Sequence, residues 1–283
     1  MMTQRCAAWC VLCLMIVWGV GCACGVRQEG VAAVPAADGP PGSASSGAVA
    51  SEARAPEAPA SEPAPVAAAS PARDAWYERE IRAFEAADRA DPPEPGQVLF
   101  IGSSSFRLWK TLEADMAPVP VLNRGFGGSK TGEVLAVFDR IVVPYAPSVI
   151  VYYCGDNDLG EHNTDWESAA NGFIAFDRLA RTMWPDVRVL NVPIKASLAR
   201  WGNWEAMSRA NAAVREYCRR TPGAEYLDTV TPTLGADGTP DPSLFEPDGL
   251  HLNAAGYARW TPVVRAAVER AWEERRSSSR LPG

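Results

Sequence analysis

The chain has 283 residues, a formal net charge of -7 and 47% hydrophobic residues, enough for one or two domains with a sizeable core. Acidic and basic side chains are mixed along the body, so no basic stripe stands ready to neutralise phosphates, and nucleic acid is excluded as a partner. The charge balance speaks to solubility and leaves the chemistry open.

Residues 1–25 read as a secretory signal: a short basic start ending at Arg5, an apolar run over 7–20, then small residues at Gly19, Gly21, Cys22 and Ala23. The apolar run is too short for a free-standing membrane span of about 20 residues. Gly19-Val20-Gly21-Cys22 is similar to a lipobox with Gly19 at the usual leucine position, so two products stay open, a lipoprotein tethered to the membrane through Cys22 and a released protein. Either is exported, to the periplasm or beyond the cell. Residues 26–73 are dominated by Ala, Pro, Ser and Gly and hold no aromatic; they cannot offset their ordering entropy and read as a disordered linker. The folded body is expected at 74–275, with 276–283 a flexible tail. Five of the seven cysteines fall in the signal region, and Cys154 and Cys218 read as free core thiols, with a pairing as the alternative.

Along the body, short β-type runs alternate with helical patterns. Strands are predicted at 98–102, 119–125, 148–155, 187–193 and 224–229, several continuously apolar as strands covered on both faces should be. Helices are predicted at 106–116, 131–143, 166–183, 204–219 and 253–275, the last with Asn253 as N-cap and Pro262 as a kink or a second start. The expected fold is a three-layer α/β/α sandwich around five parallel strands, whose ligands bind outside the carboxyl ends of the strands.

Chemistry-bearing residues follow those strands. Gly102-Ser103-Ser104-Ser105 comes after the first, Gly125-Phe126-Gly127-Gly128 after the second and Gly155-Asp156-Asn157-Asp158 after the third. Of the two histidines, His162 sits in a polar loop and reads as solvated, whereas His251 has Asp248 three residues back, a spacing that lets the carboxylate fix one ring nitrogen while the other faces a hydroxyl. Asp-x-x-His also occurs as a helix cap, and the three serines also suit an N-cap.

Taken together these blocks resemble the SGNH/GDSL hydrolase family across the whole body, which implies a flavodoxin-like fold. The resemblance aligns Ser104 with the nucleophile, with Ser103 where the family has Asp. It implies His251 as base, Asp248 as its orienting acid, and an oxyanion hole from the N–H groups of Ser104 and Gly128 and the amide of Asn157; Gly127 is the adjacent alternative to Gly128. The chemistry it implies is acyl transfer without metal or organic cofactor. The expected substrate is a small-molecule, polysaccharide or lipid ester, with short acyl or O-acetyl groups leading, a lysophospholipase or thioesterase second, and an inactive envelope-binding module third.

Other motifs fail on spacing. Gly128-Ser129-Lys130-Thr131 lacks the Gly before Lys of a phosphate loop, Phe106 breaks a Gly-x-Ser-x-Gly elbow, and the histidines and cysteines show no zinc-ligand spacing. Arg200, Trp201 and Trp204 follow the fourth strand; they suit a substrate-facing wall or, more simply, packing of a loop onto the core.

Overall fold

The computed structural model describes residues 75–160 and 163–278. The expected signal, linker, lipobox Cys22 and His162 lie outside the described residues. Five strands form one all-parallel sheet: β1 (Val98–Gly102), β2 (Val121–Gly125), β3 (Val149–Tyr153), β4 (Arg188–Asn191) and β5 (Ala224–Tyr226), in the order β2-β1-β3-β4-β5. β1 and β3 are buried at every position, which is why their sequences read as unbroken apolar runs.

Alternate strand residues feed two cores. Leu99, Ile101, Ile150 and Tyr152 point to one face and pack under α1 (Glu78–Ala90), α4 (Thr131–Ala136), α5 (Phe138–Ile141), α6 (Trp166–Met183) and α7 (Trp204–Arg220). Val98, Phe100, Val149, Val151 and Tyr153 point to the other, under α2 (Ser104–Arg107), α3 (Leu112–Met116) and α8 (Ala254–Ser278). The result is the expected α/β/α sandwich. On the second face Trp109 stacks on Tyr257 at 5.2 Å and meets Trp260 edge-on at 6.1 Å, so the helix after β1 and the last helix share one aromatic cluster.

Several boundaries differ from expectation. The helix expected at 106–116 starts at Ser104 and is split into α2 and α3, and the one expected at 131–143 is interrupted at Val137, where ψ rises to 9°. The fifth strand ends at Tyr226. α8 runs through Pro262 and continues to Ser278, three residues into the expected tail. Cys154 and Cys218 are free and buried.

α1 is not among the predicted helices, although Tyr77, Ile81 and Phe84 at i, i+4, i+7 turn to the core. Ile81 is its one buried large apolar residue, and charged pairs hold it down: Arg140 grips both carboxylate oxygens of Glu78 at 2.8 and 3.0 Å and Glu85 at 2.6 Å. Arg124 pairs with Asp88, which also accepts from Tyr145 at 2.5 Å.

Candidate active site

β1 ends at Gly102, and this position admits only glycine: φ is +144°, and an added Cβ would lie 1.8 Å from the carbonyl oxygen of Tyr153 on the neighbouring strand. The tight approach lets the Ser103 N–H bond the Tyr153 carbonyl at 3.0 Å and turns the chain directly into α2. Ser103 and Ser105 are fully buried. Between them Ser104, at the first helical position, directs its Oγ to Nε2 of His251 at 2.9 Å.

His251 is held from behind. Its Nδ1 lies 2.6 Å from Oδ2 of Asp248, while Oδ1 of the same carboxylate accepts the main-chain N–H groups of Leu250 and His251, both at 2.9 Å. Burial pushes the Asp248 carboxyl up, but these hydrogen bonds outweigh it and hold the group at about 2. Asp248 is therefore ionised at neutral pH, which makes Nδ1 the protonated nitrogen and leaves Nε2 to accept from the serine. Gly249 carries the turn at φ +64°, and its carbonyl accepts the Ala199 N–H at 2.9 Å, which ties the His251 loop to the 198–203 loop. Asn253 caps α8, accepting from Ala255 and Gly256 at 2.9 and 3.1 Å, as expected.

The loops after β1, β2 and β3 are laced together. The Phe126 N–H bonds the Gly102 carbonyl at 2.9 Å, and Nδ2 of Asn157 donates to the Ser129 carbonyl at 3.0 Å. Asp158 takes the Thr131 N–H and hydroxyl at 3.0 and 2.6 Å, fixing the start of α4. Of the two candidate glycines, Gly127 gives its N–H to Glu80 of α1 at 3.2 Å. The N–H groups of Gly128 and Ser104 have no hydrogen-bond partner among the described residues. Unpaired main-chain N–H groups are the kind of donor that a developing oxyanion requires.

Arg200 and the tryptophans divide differently. The Arg200 guanidinium turns inward, donating to the Asp156 carbonyl at 2.6 Å and to Oδ1 of Asn157 at 2.9 Å. Trp201 and Trp204 stack on each other at 5.8 Å. Sequence reasoning passes over Lys195, buried at 1% exposure, whose Nζ bonds Asp156 and Tyr153, both at 2.9 Å. It also passes over Trp76 and Glu80, which precede the first strand. Trp76 lies against Gly128, where an added Cβ would meet its ring at 3.1 Å. A cavity of about 440 Å³ opens beside His251, bordered by Leu108, Lys110, Thr111, Glu246 and Tyr257. Among the described residues no group of three or more His, Cys, Asp or Glu side chains gathers as a metal site.

The fold is shared with solved structures. A Streptococcus pneumonia protein provisionally described as a platelet activating factor superposes with a TM-score of 0.61 at 21% identity, covering 68% of this chain and 92% of that one. A GDSL-like lipase from Bacteroides thetaiotaomicron gives 0.57 at 19%, covering 68% and 98%. A Bacteroides fragilis protein provisionally described as an acylhydrolase gives 0.55 at 20%, covering 65% and 94%. No curated protein matches the sequence. The sequence model of the GDSL-like lipase/acylhydrolase family matches residues 101–259, from the end of β1 into α8 and more than half of the chain. The chain belongs to that family and is a hydrolase of ester bonds.

Proposed function

We propose that the protein is a serine esterase for short acyl groups, O-acetyl groups on a hydroxylated carrier foremost, working through Ser104, His251 and Asp248. The observation that carries this reading is the unbroken relay from Asp248 through His251 to Ser104, at 2.6 and 2.9 Å, between residues 147 positions apart.

In the first half-reaction Ser104 Oγ attacks the carbonyl carbon as its proton passes to Nε2 of His251. The oxyanion is held by the N–H groups of Ser104 and Gly128 and by the Asn157 amide, each such donor being worth about 10²–10³ in turnover. His251 then hands the proton to the departing alcohol oxygen, leaving the acyl group on Ser104. Water enters, gives a proton to His251 and attacks the acyl-enzyme; the carboxylic acid leaves and Ser104 regains its proton. Asp248 stays ionised throughout and stabilises the imidazolium.

Two features favour a small acyl group and a polar alcohol. The Gly127-Gly128 loop is crowded by Arg107 and Trp76: a Cβ on Gly127 would meet the Arg107 guanidinium at 2.9 Å, and one on Gly128 the Trp76 ring at 3.1 Å. His251 must reach the leaving oxygen, so the alcohol belongs on its side, where Lys110, Thr111 and Glu246 offer hydrogen-bonding groups in a cavity that Leu108, Leu252 and Ala254 also border. The signal-like residues 1–25 fit an enzyme acting on envelope or environmental polysaccharide. Chain-length profiling on chromogenic esters tests the reading. Turnover should be confined to acetyl through butyryl esters; a kcat/KM that holds or rises toward octanoyl would overturn it in favour of a lysophospholipase or thioesterase.

A further inference from the structure

Beneath Asn157 lies a buried charge cluster that the triad chemistry does not use. Asp156 is 3% exposed, yet it is ionised, because Lys195 and Arg200 outweigh the upward push of burial and hold its carboxyl below the usual range. Oδ2 accepts from Lys195 Nζ and from the Tyr153 hydroxyl, both at 2.9 Å, and lies 3.4 Å from the Arg200 guanidinium. Pairs of this kind are seldom kept for stability alone, since desolvation offsets most of their attraction. What the cluster does hold is the Arg200 side chain, only 16% exposed, with NH1 on the Asp156 carbonyl and NH2 on Oδ1 of Asn157.

The consequence for Asn157 follows from counting its amide. A primary amide has one oxygen and two N–H bonds. Here the oxygen is taken by Arg200 and one N–H by the Ser129 carbonyl, so one N–H is left to donate. A flip would set the amide nitrogen against the guanidinium and the amide oxygen against the Ser129 oxygen, both repulsive, so the free N–H is fixed in direction. A cationic donor on the oxygen also draws density from the nitrogen and strengthens that N–H, by about 10–30% on condensed-phase scales.

We propose that Arg200, anchored by Asp156 and Lys195, is a positioning residue of the oxyanion hole that locks and polarises the Asn157 amide. This rests on the esterase reading above. It also gives Arg200 a role different from direct substrate contact, because its guanidinium is spent on residues 156 and 157.

The test is a cycle of Arg200→Ala, Asn157→Ala and the double variant, with steady-state kinetics on an acetyl ester and a thermal melt for each. Asn157→Ala should lower kcat by about 10²–10³. Arg200→Ala should lower it roughly 10- to 100-fold with KM nearly unchanged, the scale of loss when a catalytic group is misplaced. The double variant should be no slower than Asn157→Ala alone, since Arg200 acts only through that amide. Arg200→Lys keeps the charge but loses the two-point grip; it should fold, fall between wild type and Arg200→Ala in kcat, and lose its effect in the Asn157→Ala background. Losses that multiply in the double variant, or a raised KM at unchanged kcat, overturn the role of Arg200 and leave the triad standing. A wild-type kcat in Asn157→Ala overturns the Asn157 donor and Arg200 with it. Activity surviving in Ser104→Ala would instead strike the esterase reading itself.

Discussion

Asp248→Asn separates the orienting role of Asp248 from its structural one. The asparagine oxygen can keep the two main-chain hydrogen bonds from Leu250 and His251, both 2.9 Å in the native loop, so the turn should stay folded. Its NH₂ then faces Nδ1 of His251, which must accept instead of donate. The proton moves to Nε2, and the nitrogen facing Ser104 can no longer take the serine proton. In a buried serine-protease triad the same exchange costs about 10⁴ in kcat. Here the Asp248 side chain is 49% exposed and His251 22%, so water supplies part of the lost support; the expected loss is about 10²–10³, or about 3–4 kcal/mol of barrier. Initial rates on an acetyl ester, beside a thermal melt that should be unchanged, measure it. A variant that keeps more than about a tenth of wild-type kcat would refute the tautomer argument. Because the native carboxyl sits at about 2, its titration should leave no mark on the rate profile above about pH 4.

Two further outcomes follow from the same packing. Gly102→Ala places a methyl 1.8 Å from the Tyr153 oxygen and 2.6 Å from its carbon, backbone atoms of the central strand that cannot step aside; urea unfolding should show a loss above about 4 kcal/mol, or the variant should not fold, and a near-native midpoint would contradict the close approach. Asp156→Asn leaves Lys195 and Arg200 without their shared carboxylate, which should cost about 3–5 kcal/mol near neutral pH. Since the folded-state pKa of Asp156 is lowered, its contribution is full above the unfolded value of about 3.9 and is lost as pH falls through the folded one, so the variant should have the flatter acid limb. Parallel stability curves for the two proteins would refute that linkage.

The strands are legible because burial on both faces writes them as apolar runs, and β1 spans the predicted 98–102. The choice of Ser104 among three serines came from the four-block pattern; the fold adds that its neighbours are wholly buried while Ser104 alone meets His251. α1 is the helix that the prediction misses: its apolar stripe is short, Tyr77, Ile81 and Phe84 on one face, and ion pairs to Arg140 and Arg124 that no local pattern shows add to its hold. Arg200 stands out in the sequence only by its position after the fourth strand; its partners lie 43 and 44 residues earlier and meet it only once β3 and β4 pair. Lys195 carried no signal beyond being a lysine in an apolar stretch. The competition between Gly127 and Gly128 turns on Glu80, which belongs to α1.

The central claim, that Ser104 activated by His251 is the nucleophile, is tested most directly by labelling with a fluorophosphonate probe and locating the adduct by mass spectrometry. Wild type should gain one adduct on the peptide holding Ser104, His251→Ala should label far more slowly, and Ser104→Ala should not label while keeping its melting temperature. Equal labelling of Ser104→Ala, or no labelling of folded wild-type protein, would contradict the account.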